Sequence, residues 1–279
     1  MEKHIEVERS IIKKYRKEIW KRFIAGINEY EMIKPGDKIA VCISGGKDSM
    51  LLAKCIQHLQ KHSDFPFEAK YLVLDPGYSP ENRERIIHNA ELLDVPIEIF
   101  DAKIFDYVVD VEDSPCYLCA RMRRGHLYKN AQKLGCNKIA LGHHFDDVIE
   151  TILMSMIYGA EIKTMMPKLH STNFQSMELI RPLYMVREAD ISSWVRYNDL
   201  HFLQCACKFT EASDKEQSDK ELLSKRKEMK ELISSFRKIN SNIEMNIFKS
   251  VHNVNLETVI GYHKGDMKYN FLDDYDKRD

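Results

Sequence analysis

No stretch of this chain approaches the run of about 20 apolar residues that a membrane-crossing helix requires. The opening Met-Glu-Lys-His-Ile-Glu lacks the apolar core of a secretion signal. An excess of charge is also missing. Forty-two Lys and Arg face 43 Asp and Glu, a net charge of −1. That excludes a globally basic nucleic-acid binder and leaves room for a local basic patch. Internal repeats and low-complexity segments are absent, and nothing suggests a pyridoxal phosphate site. These absences lead to the expectation of a cytoplasmic protein without a membrane partner. What is present is a hydrophobic content of 44% in 279 residues, ample for one large domain or a core with a smaller appendage. Seven cysteines in a reducing compartment favour metal binding or sulfur chemistry over disulfides.

Apolar periodicity predicts an amphipathic helix over residues 9–33, with Ile12, Ile19, Phe23, Ile27 and Tyr30 on one face and a crowd of lysines and arginines on the other. Strands at 39–43, 67–74, 97–100 and 138–142 then alternate with helices at 48–62, 81–93, about 121–134 and from about 147. This alternation predicts an α/β fold with a doubly wound parallel sheet. Residues 160–178 read as loop, 180–183 as a short extended piece, 188–197 and 215–238 as helices, and the tail from about Lys264 as loosely held. The expected organisation is an N-terminal amphipathic helix (1–36), a core (37–210) and a C-terminal helical region with a tail (211–279). Long amphipathic helices at both ends are compatible with a homodimer.

The first stretch that carries chemistry is Ile39-Ala40-Val41-Cys42-Ile43-Ser44-Gly45-Gly46-Lys47-Asp48-Ser49. A buried strand, a glycine turn and a helix N-terminus point backbone N–H groups at a phosphate. Gly45 and Gly46 let the anion approach the backbone. Lys47 adds a mobile positive charge, and Ser44 and Ser49 add hydroxyl donors. The kinase and GTPase loop, G-x-x-x-x-G-K followed by Ser or Thr, does not match, because its first glycine is missing and Asp48 follows the lysine. Ser-Gly-Gly-Lys-Asp-Ser resembles instead the pyrophosphate (PP) loop of the N-type ATP pyrophosphatases, which split ATP between its α and β phosphates. An ordinary βα turn is the bland alternative. In a parallel sheet ligands bind beyond the C-terminal strand ends, where Ser44–Ser49, Asp75 and Gly142–Asp147 all fall.

Pro115-Cys116-Tyr117-Leu118-Cys119 is the second stretch. Two cysteines separated by two residues can share one metal or cluster. Cys205-Ala206-Cys207 supplies two more thiols. All four could hold a structural zinc, or Cys116, Cys119 and one of Cys205 and Cys207 could hold three irons of a 4Fe–4S cluster; residue chemistry leaves both open. Arg121, Arg123 and Arg124 follow at once and lean toward an anionic substrate, a solvated helix end being the alternative. The third stretch is Gly142-His143-His144-Phe145-Asp146-Asp147. Its aspartates could cap a helix, or hold Mg²⁺ against ATP phosphates or act on a nucleobase. His143 and His144 are candidate binding residues.

Together with Ile180-Arg181-Pro182-Leu183 these stretches, in this order, resemble the tRNA 2-thiocytidine synthetase (TtcA) family, from about Tyr15 to about Val254. The resemblance implies a transferase that uses ATP, Mg²⁺ and a 4Fe–4S cluster to replace the 2-oxygen of a tRNA pyrimidine with sulfur. It implies catalytic roles for Lys47, Asp48, Asp146 and Asp147. ATP binding would fall to Ser44, Gly45, Gly46, Lys47, Asp48, Ser49, Asp75, Gly142 and His143. Cluster ligation would fall to Cys116, Cys119 and Cys207 (or Cys205), and tRNA contact to Arg121, Arg123 and Arg124. A cysteine desulfurase or other sulfur donor would be a partner. The family usually carries its late cysteines as C-x-x-C, and the C-x-C here leaves the third ligand open. The rivals are another PP-loop enzyme, such as a 2-thiouridine or lysidine synthetase, and a zinc-stabilised RNA-binding or nucleotide-binding protein.

Overall fold

The computed structural model describes residues 2–108, 115–203 and 217–277. At its centre six strands lie in the order β3-β2-β1-β4-β6-β5. They are β1 (Lys38–Ile43), β2 (Glu68–Asp75), β3 (Ile97–Asp101), β4 (Lys138–Ala140), β5 (Lys168–His170) and β6 (Glu178–Ile180). The first four and β6 pair in parallel, while β5 runs antiparallel against β6 at the edge. Val41 stands opposite Tyr71 on one side and Ala140 on the other. All but the first residue of β1 are buried, as expected of a central strand covered by helices on both faces.

The helices are α1 (Lys3–Ile12), α2 (Lys21–Glu29), α3 (Lys47–His62), α4 (Pro80–Leu92), α5 (Ile104–Val108), α6 (Pro115–Lys133), α7 (Phe145–Gly159), α8 (Glu188–Tyr197), α9 (Gln217–Ile239) and α10 (Ile243–Ser250). One apolar core joins Val7, Ile11 and Phe23 from the N-terminal helices to Met50, Leu51 and Ile149 beside the sheet, and to Met229, Ile233 and Phe248 from α9 and α10. The sheet's connectivity places Ser44, Asp75 and Leu141 at one edge, and α9 packs over the start of α7 there through Arg226 and Lys230.

Several sequence expectations are corrected. The single helix over 9–33 is two α-helices joined through a π-helical turn at Arg16–Trp20; Tyr15 and Ile19 stay buried through it, so the extra residue shifts the apolar stripe without exposing it. The helix placed at about 121–134 begins at Pro115, because proline suits a first helical turn; the C-x-x-C pair is therefore helical. The loop over 160–178 contains β5 and leads into β6, strands too short for periodicity to reveal. The tail forms a hairpin, β7 (Gly261–Lys264) with β8 (Met267–Asn270), turned at Gly265, whose φ is +63°.

Candidate active site

The turn after β1 is built by glycine and closed by serine. Gly45 holds φ at +83°, and a Cβ there would lie 2.7 Å from Ile86 Cγ1, so both backbone and space exclude a side chain. Ser49 Oγ accepts the Ser44 N–H at 3.2 Å and donates to the Gly46 carbonyl at 2.9 Å. Gly46, the N-cap of α3, offers no side-chain cap, which leaves first-turn N–H groups for an anion. Gly142 acts through the space it leaves. A Cβ at that position would stand 3.1 Å from Asp48 C and Ser49 N, so the chain leaving β4 runs directly against the start of α3.

Lys47 does not reach into an open site. Its Nζ lies 3.0 Å from Asp48 Oδ1 and 3.2 Å from Glu188 Oε1 at the start of α8. Lys230, from α9, closes the chain of charges at 3.1 Å from Glu188 Oε2. Burial alone would raise the Glu188 carboxyl; Lys47 and Lys230 outweigh it and hold it at about 2. Burial would likewise lower Lys47, and Asp48 and Glu188 reverse this, so its pKa rises. A phosphate entering here must exchange with Glu188 for the lysine.

Asp146 and Asp147 both have structural partners. Asp147 Oδ2 accepts the His144 N–H at 3.0 Å, reaching back over the first turn of α7. Asp146 Oδ2 accepts the Glu188 N–H at 2.6 Å and so caps α8 from a neighbouring element. Asp147 Oδ1 faces Arg226 at 3.9 Å. His144, buried, lies 3.9 Å from Asp48 Oδ1 and 3.4 Å from Asp147 Oδ2. One turn on, Glu150 is buried with Oε2 accepting no hydrogen bond. Burial pushes it up to about 7 against the pull of Lys230 and Arg226.

One cleft of about 460 Å³ unites three of the stretches singled out from the sequence. Ser44, Asp48 and Ser49 form one wall, Gly142, His143 and Asp147 another, and Arg123 and Arg124 of α6 close it. Its floor is the ends of β1, β2 and β4: Ile43, Leu74 and Leu141. Arg121 lies outside this cleft and lines a second cavity beside it. Arg123 also donates to the Tyr78 hydroxyl at 3.2 Å. Asp75 is engaged locally. Its Oδ1 accepts the N–H groups of Gly77 and Tyr78 at 2.8 and 2.7 Å, and its Oδ2 pairs with Arg83 at 2.6 Å. Cys119 is buried among Leu74, Ala102 and Phe105. Cys116 stands in the first turn of α6, and Cys205 and Cys207 lie outside the described residues. Cys42, Cys55 and Cys136 are buried, as their apolar settings predict. Burial pushes the Cys42 thiol up to about 12. Glu150, Glu188, Arg226 and Lys230 are site residues that sequence reasoning missed.

The second cavity, about 680 Å³, adjoins the cleft through Ala120, Arg124, Leu141 and His143. It lies over the ends of β6 and β5 and is lined by Arg181, Leu179, His170, Tyr128 and Phe174. Burial, helped by the charge of Arg181, lowers His143 to about 4, so the ring is neutral at pH 7.

Comparisons with known proteins agree with this fold. Residues 13–209 match the PP-loop domain family. Over 185 residues, 64% of this chain and 57% of the relative, the chain is 42% identical to a tRNA-cytidine(32) 2-sulfurtransferase of Neisseria meningitidis. The alignment thus spans little more than half the length of the first such relatives. A protein of the same name from Vibrio parahaemolyticus is 36% identical over 82% of this chain and 74% of its own length. Among solved structures, the U34-tRNA thiolase NcsA of Methanococcus maripaludis with its 4Fe–4S cluster shares the fold at a TM-score of 0.62. It is 20% identical, over 86% of this chain and 81% of that one.

Proposed function

This chain belongs to the PP-loop domain family and groups with the tRNA-cytidine(32) 2-sulfurtransferases, and from that premise we propose that it thiolates tRNA at the expense of ATP. The observation that carries the reading is the single cleft in which the PP loop, the arginines of the cysteine-bearing helix and Asp147 face one another. A cytidine, at position 32 by the name of the relatives, is the substrate that the reading assigns.

The chemistry asked of the site is the replacement of a poor leaving group. The C2 oxygen of the pyrimidine attacks the α-phosphorus of ATP, the bond to the β-phosphate breaks, and pyrophosphate departs. Sulfide-level sulfur then bonds to C2 and the oxygen leaves with AMP, a substitution without net oxidation or reduction. Loop N–H groups, Lys47, Ser44 and Ser49 stabilise the departing pyrophosphate. Asp48 and Asp147 offer the hard oxygen donors that Mg²⁺ takes. Asp48 Oδ1 suits this role in exchange for Lys47, whose Nζ now lies 3.0 Å from it without a well-aligned hydrogen bond. Asp146 orients α8 and with it Glu188.

Cys116 and Cys119, three apart on α6, fit a group that takes soft thiolate ligands, because that spacing lies on one helix face. With Cys207 (or Cys205) they would hold a 4Fe–4S cluster, through which sulfur for C2 would be delivered. A cysteine desulfurase or another donor would have to replenish it, and the setting would be the cytoplasm. A homodimer remains compatible with the helices at both ends of the chain.

The test is iron content with pyrophosphate release. Protein purified without oxygen should carry about four irons and release pyrophosphate only when the RNA is added. Ala at Cys116, Cys119 or Cys207 should lose iron and activity together, whereas Ala at Cys205, Cys42, Cys55 or Cys136 should keep both. One zinc per chain, lost equally from all four motif cysteines, would favour the structural-zinc reading.

A further inference from the structure

The chamber beyond β4 holds polar groups that have no hydrogen-bond partner among the described residues. Arg181 is half-buried, and no carboxylate lies within ion-pair distance of it among the described residues. One terminal nitrogen, Nη1, donates to the Met166 carbonyl, and Nε is buried with no hydrogen-bond partner among the described residues. His143 lines both this chamber and the neighbouring cleft, and its Nδ1 is likewise buried with no hydrogen-bond partner among the described residues. A buried cation with an unused donor edge is costly unless a ligand supplies acceptors. Beside these groups Tyr128 and Phe174 stack, ring centroids 4.9 Å apart and planes 11° from parallel, both on the chamber wall. Aromatic faces, a guanidinium edge and a neutral imidazole are the groups with which proteins hold an unstacked base.

Topology separates this chamber from the phosphate site. The cleft lies over β2, β1 and β4, and the chamber over β4, β6 and β5. They meet at Leu141 and His143, so a ligand in each would come together at the end of β4.

We propose that this chamber receives the extruded target base and that Arg181 selects cytosine over uracil. The inference rests on the thiolation reading above. Cytosine presents two adjacent acceptors, N3 and O2, to which Nε–H and Nη2–H of Arg181 can donate side by side. Uracil carries a hydrogen on N3, so the same fork would meet one acceptor and one donor. O2 keeps a second lone pair, on the side away from N3, for the phosphorus. The unpartnered Nδ1 of neutral His143 can accept from the exocyclic amine of cytosine, a group that uracil replaces with a carbonyl. Arg181 is on this account a specificity residue, and Phe174 a stacking surface indifferent to base identity.

The experiment uses the full chain with two anticodon stem-loop RNAs that differ only in cytidine or uridine at the target position. Pyrophosphate release is followed with each, and Mg-ATP affinity is measured separately. Wild type should favour the cytidine RNA by about tenfold or more. Arg181→Gln should erase that ratio while leaving ATP affinity and the melting temperature near wild type. Phe174→Leu should slow both RNAs several-fold and leave the ratio unchanged. A wild-type ratio in Arg181→Gln, equal use of both RNAs by wild type, or lost ATP affinity in Arg181→Gln would overturn the inference alone. No RNA-dependent release by wild type would overturn the thiolation reading with it.

Discussion

Lys47 and Arg181 stand on opposite sides of β4, both half-buried cations, and the protein keeps them differently. Lys47 has two carboxylates within 3.2 Å, and its pKa is raised despite burial. Arg181 has none beside it among the described residues, and burial lowers it to about 10. The difference matches what each side is proposed to hold. A polyphosphate brings several negative charges, so a site built for it can stay neutralised until the ligand exchanges with Glu188. A neutral base brings only lone pairs, and a carboxylate already on the guanidinium would occupy the donors that it needs.

The strongest way to break this contrast is to remove the paired cation. Lys47→Ala should lower RNA-dependent pyrophosphate release by about a hundredfold or more while leaving the fold intact, since Gly45 and Gly46 make the turn. Asp48→Ala should behave alike, and wild-type rates in both would end the assignment. Next come the caps. Asparagine can still accept the N–H bonds now taken by Asp146 and Asp147, with cap strength changed by a few tenths of a kcal/mol. Melting should therefore hold in Asp146→Asn and Asp147→Asn while thiolation is lost in at least one. Two active variants would mean that these carboxylates only cap.

Glu150 sharpens the contrast from the other side, because it is the point where the nucleotide flank is left short of partners. Its folded pKa, about 7, stands above the ordinary 4.5. The folded state therefore holds a proton that the unfolded chain releases. The stability tied to that proton is fully present below about pH 4.5 and lost as pH rises through 7. Glu150→Gln should remove this loss, roughly 1–3 kcal/mol across the window. Thermal melts of both proteins at pH 4.5, 6 and 8 should diverge with rising pH; parallel curves would contradict the burial that raises this carboxyl. The smallest effect is expected at Glu188. Glu188→Gln removes the carboxylate that a phosphate must displace and should tighten Mg-ATP binding by about threefold to tenfold at low salt. Weaker binding by titration would show instead that Glu188 serves to aim Lys47.

Much of the PP-loop flank was legible in the sequence, because each of its parts is local. A strand, two glycines and a helix start are consecutive, and Gly142–Asp147 repeats the strand-to-helix pattern. The parallel sheet followed from the same alternation. Asp75 was read as a ligand-edge residue by its place at a strand end, and it does end β2, with one oxygen spent on the turn that follows and the other on Arg83 of α4. What sequence could not give were residues brought in by distant elements. Glu188 opens a helix 141 residues after Lys47, and Arg226 and Lys230 sit on a helix whose charges look like any solvated face. Arg181 was visible within Ile180-Arg181-Pro182-Leu183. Its isolation was not, because a missing partner leaves no trace in a motif.

Leu203 and Arg226 flank the segment that carries Cys205 and Cys207, and both are fastened to the same edge. The Leu203 N–H donates to the Gly45 carbonyl at 3.2 Å, and Arg226 faces Asp147 and Glu150, 3.9 Å from each. Two anchors on one edge of the sheet fix the span that the chain between them must close, so part of the entropy of closing that loop is offset by the contacts of Leu203 and Arg226 themselves.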